Sequence, residues 1–112
     1  MKDRELLELA AKAAGYPFRG YSGDNPLLEE DQSQPEPRLA CPVVWNPLTD
    51  DGDALRLAVK LGLNINVIIK DGTFVSRYET EPVIAEKNRD QDPYAATRRA
   101  IVRAAASIGE QM

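Results

Sequence analysis

Two stretches in the first half of the chain place apolar residues three and four positions apart, which is the spacing of an amphipathic helix. The first predicted helix covers residues 3–14 and ends at Gly15, because glycine readily adopts the left-handed backbone angles of a helix end. The second predicted helix begins at Thr49 or Asp50, whose side-chain oxygens can accept hydrogen bonds from the first turn. Gly62 ends this helix for the same reason as Gly15 ends the first.

A third helix is predicted after Asp92. We expect Asp92 to cap it and Pro93 to occupy its first turn, where a missing N–H loses no hydrogen bond. The pattern continues through Ile108, and Gly109 is expected to end the helix. The predicted buried stripe consists of Ala100, Ile101, Ala104, Ala105 and Ile108, and the outward face carries Arg98, Arg99 and Arg103.

Alternation of apolar and polar residues over 63–70 predicts a β-strand. Its apolar run over 67–69 predicts burial on both faces of a sheet. Asp71-Gly72 is typical of a two-residue type I′ hairpin turn, so we expect the chain to return as a second strand over 73–79.

Three further segments have strand character. Residues 39–46 form a predicted strand in which Trp45 is interpreted as a core anchor rather than an exposed contact residue. Residues 18–21 are interpreted as a short strand, and 83–91 as a short strand followed by a loop. The element order predicts an α+β fold: one domain over 1–112, with a small, largely antiparallel sheet and helices packed on both faces, an α-β-α sandwich.

The negative charge is concentrated in one segment. The chain has 112 residues and a formal net charge of −4, and residues 24–37 contain five acidic and no basic residues. Three prolines and a polar composition in this segment predict a mobile, solvated acidic loop at about 24–38. The rest of the chain is close to neutral.

The amino-acid composition argues against several classes of function. Histidine is absent, and with it the commonest general base and transition-metal ligand. The single cysteine, Cys41, excludes an intramolecular disulfide and a cysteine-based zinc site, and it is interpreted as a small buried apolar residue. We therefore expect a non-enzyme without metal or cofactor. The chain has no apolar run of membrane-spanning length and no signal-peptide pattern at its start, so a cytoplasmic location is expected.

The cluster Asp50-Asp51-Gly52-Asp53 has two interpretations. Carboxylates in a glycine-containing loop suit calcium or magnesium. However, the cluster lacks the alternating acidic spacing of an EF-hand, and acids at a helix start are common as caps. We favour the structural interpretation.

Arginines supply the candidate ligand-binding residues, Arg77, Arg98, Arg99 and Arg103. They could hold a phosphate or an acidic partner. A solvated helix face whose arginines pair with nearby acids is the favoured alternative, and nucleic-acid binding is unlikely without exposed interleaved aromatics. Tyr16, Phe18 and Tyr21 either floor a small groove or seal the end of the first helix.

Two segments carry a resemblance to a known family. These are Trp-Asn-Pro-Leu-Thr-Asp-Asp-Gly-Asp-Ala-Leu-Arg-Leu-Ala-Val-Lys-Leu at 45–61 and Ala-Thr-Arg-Arg-Ala-Ile-Val-Arg-Ala-Ala at 96–105. Together they resemble the phage ABA sandwich domain family of small phage and prophage proteins. The resemblance implies an alpha-beta-alpha layered fold, expression in the bacterial cytoplasm and no assigned activity, and it brings no catalytic or ligand residues.

The leading functional hypothesis is a non-enzymatic phage accessory protein that binds a host or phage protein, with the acidic loop as one contact surface. The alternative is a small-ligand binder of nucleotide type that uses the arginines. A homodimer formed by sheet extension also stays open, and a carboxylate-based or metal-dependent enzyme ranks last.

Overall fold

Helices and short strands alternate along the residues that the computed structural model describes, which are 2–28, 43–77, 83–88 and 92–112. The helices are α1 (Asp3–Ala14), α2 (Asp51–Leu61) and α3 (Pro93–Glu110). The strands are β1 (Phe18–Ser22), β2 (Asn25–Leu28), β3 (Val43–Val44), β4 (Asn64–Ile68), β5 (Gly72–Ser76) and β6 (Ile84–Lys87). The helices pack against small antiparallel sheets, which confirms the α+β fold class.

The strands form two antiparallel sheets of three strands, β1-β2-β3 and β4-β5-β6, so the prediction of a single sheet is corrected. The difference comes from β2, which lies in the segment predicted as a loop. Gly23, at a φ of 63°, and Asp24 form the turn that sets Asn25 opposite Ser22. Residues 25–28 therefore occupy the centre of the first sheet, and the prediction of a loop is wrong for them.

Pro26 is the reason why residues 25–28 were predicted as a loop rather than as strand β2. Proline usually indicates a strand edge or a loop because it has no N–H to donate. Here Pro26 is fully buried, and its carbonyl oxygen accepts a hydrogen bond from the backbone N–H of Trp45 at 2.9 Å. The remainder of the predicted acidic loop (29–38), residues 39–42 with Cys41, and residues 78–82 lie outside the described residues.

Trp45 is 4% exposed, so its prediction as a core anchor is confirmed. Its ring meets the ring of Tyr16 edge to face, with 5.5 Å between centroids. The contact joins Tyr16, the second residue after α1, to Trp45, the residue that follows β3. The other helix boundaries also match the prediction. Helices α1 and α2 end at Gly15 and Gly62, and helices α2 and α3 begin after Asp50 and Asp92.

Helix α3 is the central element, because it packs against α1, α2 and the second sheet. Its buried surface is therefore wider than the predicted stripe and includes Val102 and Ala106. Gly109 lies inside α3 rather than at its end, because the helix continues to Glu110. The glycine is needed for close packing against Leu9 of α1, which the chain pattern alone does not reveal.

The predicted β-hairpin is present, but its turn differs from the type I′ prediction. Ile68 pairs with Gly72, so three residues, Ile69 to Asp71, form the loop. Gly72 pairs with Lys87 of β6 as well, and a side chain there would overlap the carbonyl oxygen of Glu86. Glycine is thus required at this position by the neighbouring strand rather than by the turn.

Helix α3 covers one face of the second sheet. Thr73 and Val75 of β5 are buried on that face, and the Thr73 hydroxyl lies 2.7 Å from the Thr97 hydroxyl. The prediction that the 67–69 run is buried on both sides is wrong, because Val67, Ile68 and Ile69 are 43%, 41% and 69% exposed. Val67 and Ile68 lie in β4, which is an edge strand of the second sheet, and Ile69 lies in the loop that follows it.

Candidate functional site

A groove lies between α1, α3 and β6. Its volume is about 520 Å³. Its apolar lining residues are Leu6, Ile84 and Ala106, and its polar lining residues are Glu86, Arg99, Arg103, Ser107 and Glu110. The polar side chains outnumber the apolar ones, so the groove suits a polar or charged ligand more than an apolar one.

Helical spacing places Arg99 and Arg103 one turn apart on α3, where both reach the buried carboxylate of Glu86. Arg103 donates to Glu86 Oε2 at 2.7 Å and to the carbonyl oxygen of Ala85 at 3.0 Å. Arg99 Nε lies 4.0 Å from Glu86 Oε1, and another of its nitrogens donates to Asp3 at 3.1 Å. The two arginines thereby join α3 to β6 and to α1.

These ion pairs determine what the groove can bind. Glu86 and Glu110 offset the charges of Arg99 and Arg103, so the lining residues sum to zero charge. An anion entering the groove would compete with Glu86 for the guanidinium of Arg103, and a neutral ligand would not. Ser107 adds a hydroxyl that can donate to a ligand oxygen.

The other two predicted arginines lie elsewhere. Arg98 donates to the carbonyl oxygen of Leu48 at 2.9 Å and to Asp51 at 2.6 Å, which ties α3 to the start of α2. Arg77 directly follows β5 and is exposed. The sequence therefore identified two residues of the groove, Arg99 and Arg103, and it missed Glu86. The prediction that arginines of α3 pair with nearby acids is confirmed, but Arg98, with 18% of its side chain exposed, is not on a solvated face.

Acidic residues at the start of α2 form a helix cap, as the favoured interpretation predicted. The Asp50 side chain accepts from the backbone N–H of Asp53 at 2.8 Å. Asp53 in turn accepts from the backbone N–H of Asn46 at 3.0 Å and from Arg56 at 2.8 Å. The hydrogen bond to Asp53, together with the negative charges of Asp53 and Asp50, raises the pKa of the Arg56 guanidinium above its ordinary value. These hydrogen bonds hold both carboxylates in the cap.

Asn46 connects this cap to the first sheet, which no sequence pattern indicated. Its side-chain nitrogen donates to the Asn25 side chain of β2 at 2.8 Å. Its side-chain oxygen accepts from the backbone N–H of Leu48 at 3.1 Å, so Asn46 also bonds to the local backbone. The signal that could have revealed Asn46 is its place just before a proline in a turn.

The aromatic residues after α1 fasten that helix to the first sheet. Phe18 and Tyr21 meet edge to face at 5.2 Å, and the Arg4 guanidinium lies 4.3 Å from the Tyr21 ring centroid. Burial raises the pKa of Tyr21, and a hydrogen bond to Glu8 together with the negative charge of Glu8 raises it further. These contacts place Tyr21 against the first turns of α1 rather than its end, so the interpretation that these rings seal the end of α1 is not confirmed for Phe18 and Tyr21.

The exposed edge at β4 is a second candidate surface. All five residues of β4, Asn64 to Ile68, are uncharged, whereas the opposite edge strand β6 contains Glu86 and Lys87. Charged residues normally protect sheet edges from pairing with other chains. The sequence contained this signal, but the run was interpreted as a buried strand.

Comparison with known proteins gives no relative: no family model, no curated protein and no solved structure matches this chain. The phage-family resemblance therefore stays a prediction. Among the described residues, no helix is long and apolar enough to cross a membrane.

Proposed function

We propose that the chain is a non-enzymatic binding module, an accessory protein of phage or prophage origin, that binds a host or phage protein in the bacterial cytoplasm by adding a partner strand to β4. The observation that carries this proposal is an uncharged edge strand with exposed apolar side chains. Backbone N–H and C=O groups on the outer side of an edge strand can pair with an extended segment of another protein.

The side chains of β4 are suited to this mode of recognition. Val67 and Ile68 project to opposite faces of the sheet, and both retain more than two fifths of their surface to solvent. A partner strand would cover part of each. The expected partner segment is extended and apolar, because neither face of β4 offers a charge to pair with.

The experiment compares lysine substitutions on the two edges of the second sheet. Asn66→Lys places a charge on the outer face of β4, and Ala85→Lys is the matched control on β6. Partners captured from host lysate are first cross-linked and mapped by mass spectrometry, so that only those contacting β4 are scored. We expect that Asn66→Lys abolishes the capture of these partners and that Ala85→Lys leaves their capture unchanged. Equal effects of the two substitutions, or no partner contacting β4, would contradict the proposal.

Deletion of the acidic segment would be a poor test of its role in binding. Deletion of residues 24–37 would remove β2, the central strand of the first sheet, together with any contact surface. Loss of binding in that variant would therefore report unfolding as readily as a lost contact. Charge-reversing substitutions at Glu29 and Glu30, which follow β2 in the sequence, avoid this problem.

The second candidate function is the binding of a small anionic ligand of nucleotide type in the groove. It is favoured by the convergence of Arg99, Arg103 and Ser107 on one cavity. Because Glu110 opposes an anion there, Glu110→Gln should raise the thermal shift caused by nucleotides, and Ser107→Asp should lower it. No shift with nucleotides in either background would exclude this candidate.

A further inference from the structure

We propose that the protein forms a two-fold symmetric homodimer in which β4 pairs antiparallel with β4 of a second copy, centred on Asn66. The pairing would join two β4-β5-β6 sheets into one sheet of six strands. It uses the same edge as the proposed function, on which it rests for the choice of strand alone. It adds a defined register and a second occupant of this edge, and therefore a form of the protein in which the edge is closed.

The contacts of β6 show which backbone groups of β5 point toward it. In an antiparallel pair, successive residues direct their N–H and C=O groups alternately toward the partner strand and away from it. The backbone N–H of Asn88 donates to the carbonyl oxygen of Asp71 at 3.3 Å, so Asp71 points toward β6. Alternation along β5 therefore directs Thr73 and Val75 toward β6 as well, and Phe74 toward β4.

The same alternation identifies the free backbone groups of β4. Asn66 lies opposite Phe74, so its own N–H and C=O groups point to β5. Ile65 and Val67 lie opposite residues of β5 that point toward β6, so their backbone groups point out of the sheet. A strand that joins this edge must therefore pair with Ile65 and Val67.

The sequence around Asn66 matches an antiparallel copy of itself. When Asn66 of each copy lies on the two-fold axis, Ile65 of one copy lies opposite Val67 of the other. Each such pair exchanges two backbone hydrogen bonds, and symmetry supplies the second pair. The next outward positions, Leu63 and Ile69, are also apolar and lie opposite each other in this register. The outward positions thus present the same pattern in both directions, which self-pairing requires.

Side chains on both faces of the sheet suit this register. Ile65 lies opposite Val75, whose buried side chain faces α3, so Ile65 and Val67 lie on the helix-covered face. Helix α3 packs chiefly on β5 and β6, which leaves Val67 43% exposed and Ile65 partly buried. A two-fold axis perpendicular to the sheet keeps this face on the same side in both copies, so these four side chains meet in one apolar patch. On the other face, the two exposed Asn66 amides lie side by side and can exchange hydrogen bonds.

Charge distinguishes β4 from the other edge of the second sheet. In a symmetric antiparallel pair, a charged residue near the axis meets the same charge on the second copy. Strand β4 has no charged residue over Asn64–Ile68. On β6, Arg103 already donates to the carbonyl oxygen of Ala85, and Lys87 adds a charge. Of the two described edges, β4 is therefore the one suited to self-pairing.

The contact is short, so the dimer is expected to be weak. Four backbone hydrogen bonds and one small apolar patch fall at or below the low end of specific interfaces, for which a Kd on the order of 100 µM is reasonable. The dimer and an added partner strand need the same backbone groups of Ile65 and Val67. They therefore exclude each other, and dimerisation regulates access to the proposed binding edge.

Disulfide cross-linking tests the register. A Cys41→Ser background leaves each variant with a single cysteine. Asn66→Cys places two cysteines on the axis with about 4.5 Å between their Cα atoms, which is within disulfide range, so this variant should form a covalent dimer in a glutathione redox buffer. Asn64→Cys and Ile68→Cys should cross-link to each other when mixed, and Ala85→Cys on β6 is the control that should stay monomeric. Absence of the Asn66→Cys dimer, or an equal yield at Ala85→Cys, would overturn the proposal.

Sedimentation velocity of the wild-type protein from about 10 µM to about 1 mM tests association without a cross-link and brackets that Kd. The protein should shift from monomer to dimer. Asn66→Lys should weaken association about tenfold or more, and Ala85→Lys should associate like the wild type. Over the same range, hydrogen exchange should slow at the amides of Ile65 and Val67. A protein that is monomeric throughout, or a dimer in which these two amides exchange freely, would overturn the proposal.

These measurements use purified protein without lysate, so their outcome is separate from that of the proposed function. A monomer that captures a host protein through β4 would overturn the dimer alone. A dimer with the predicted cross-links that captures no host protein would overturn the proposed function alone.

Discussion

Gly109 of α3 lies directly against the carbonyl group of Leu9 in α1, with no room for a side chain between them. A glycine inside a helix ordinarily lowers stability by about 1 kcal/mol relative to alanine. Here the close approach of the two helices offsets that loss, because a methyl group on residue 109 would overlap the Leu9 backbone.

Gly109→Ala is therefore expected to destabilise the protein, by about 1–3 kcal/mol, despite the better helix propensity of alanine. The two helices would have to move apart, which would loosen the largest helix–helix contact of the fold. Chemical denaturation measures the free energy of unfolding. Ser107→Ala on the same helix is the control and should change it little; a Gly109→Ala protein as stable as wild type would show that α1 can shift without penalty.

The start of α2 should depend on Asp50 more than on Thr49. Asp50 accepts the hydrogen bond from Asp53 N–H, whereas Thr49 bonds only to the carbonyl oxygen of Asn46. Asp50→Ala should lower the free energy of unfolding by about 1 kcal/mol. Asp50→Asn keeps the cap and should recover most of this. If Thr49→Ala were the more damaging substitution, the cap would be assigned to the wrong residue.

Glu86 and Arg103 should show energetic coupling. Glu86 is buried, and its pairing with Arg103 at 2.7 Å replaces solvation that the carboxylate has lost. Because Arg103 is partly exposed, we expect a coupling of about 1 kcal/mol, below that of a fully buried pair. A double-mutant cycle with Glu86→Gln and Arg103→Gln measures it in urea. Strictly additive effects would mean that Arg99 alone satisfies Glu86.

Stability should fall at alkaline pH through Tyr21. Because burial and Glu8 raise its pKa above the ordinary value of 10.0, the folded state favours the protonated phenol. This contribution to stability is fully present below pH 10.0, the ordinary value that holds in the unfolded chain, and it is lost as the pH rises through the higher folded value. Tyr21→Phe removes the ionisation, so its free energy of unfolding should decline less steeply at high pH. Identical pH profiles for the two proteins would contradict this.

Helix boundaries were predictable because their signals are local. Asp92 bonds to the N–H groups of Tyr94 and Ala95, two and three residues away, so its role follows from the adjacent sequence. Gly15 and Gly62 act on their own helices in the same way. These helix boundaries can therefore be predicted without knowing which residues are in contact elsewhere in the fold.

The incorrect predictions all depend on a distant neighbour. Glycine is required at position 72 because β6 approaches it closely, and at position 109 because α1 approaches it closely. Pro26 is tolerated inside a sheet because its carbonyl oxygen meets Trp45. The groove was only half predictable for the same reason: its arginines come from one helix, but Glu86 comes from a strand with no chemical signature of its own.

The packing of α1 on α3 has a consequence for biosynthesis. Residues 15–92 separate these two helices in sequence, yet they make the largest contact between the described elements. A ribosome therefore releases the apolar side of α1, with Leu6, Leu7 and Ala10, long before its binding surface has been translated. The packing of α1 is therefore complete only after α3 has been synthesised and folds back onto it.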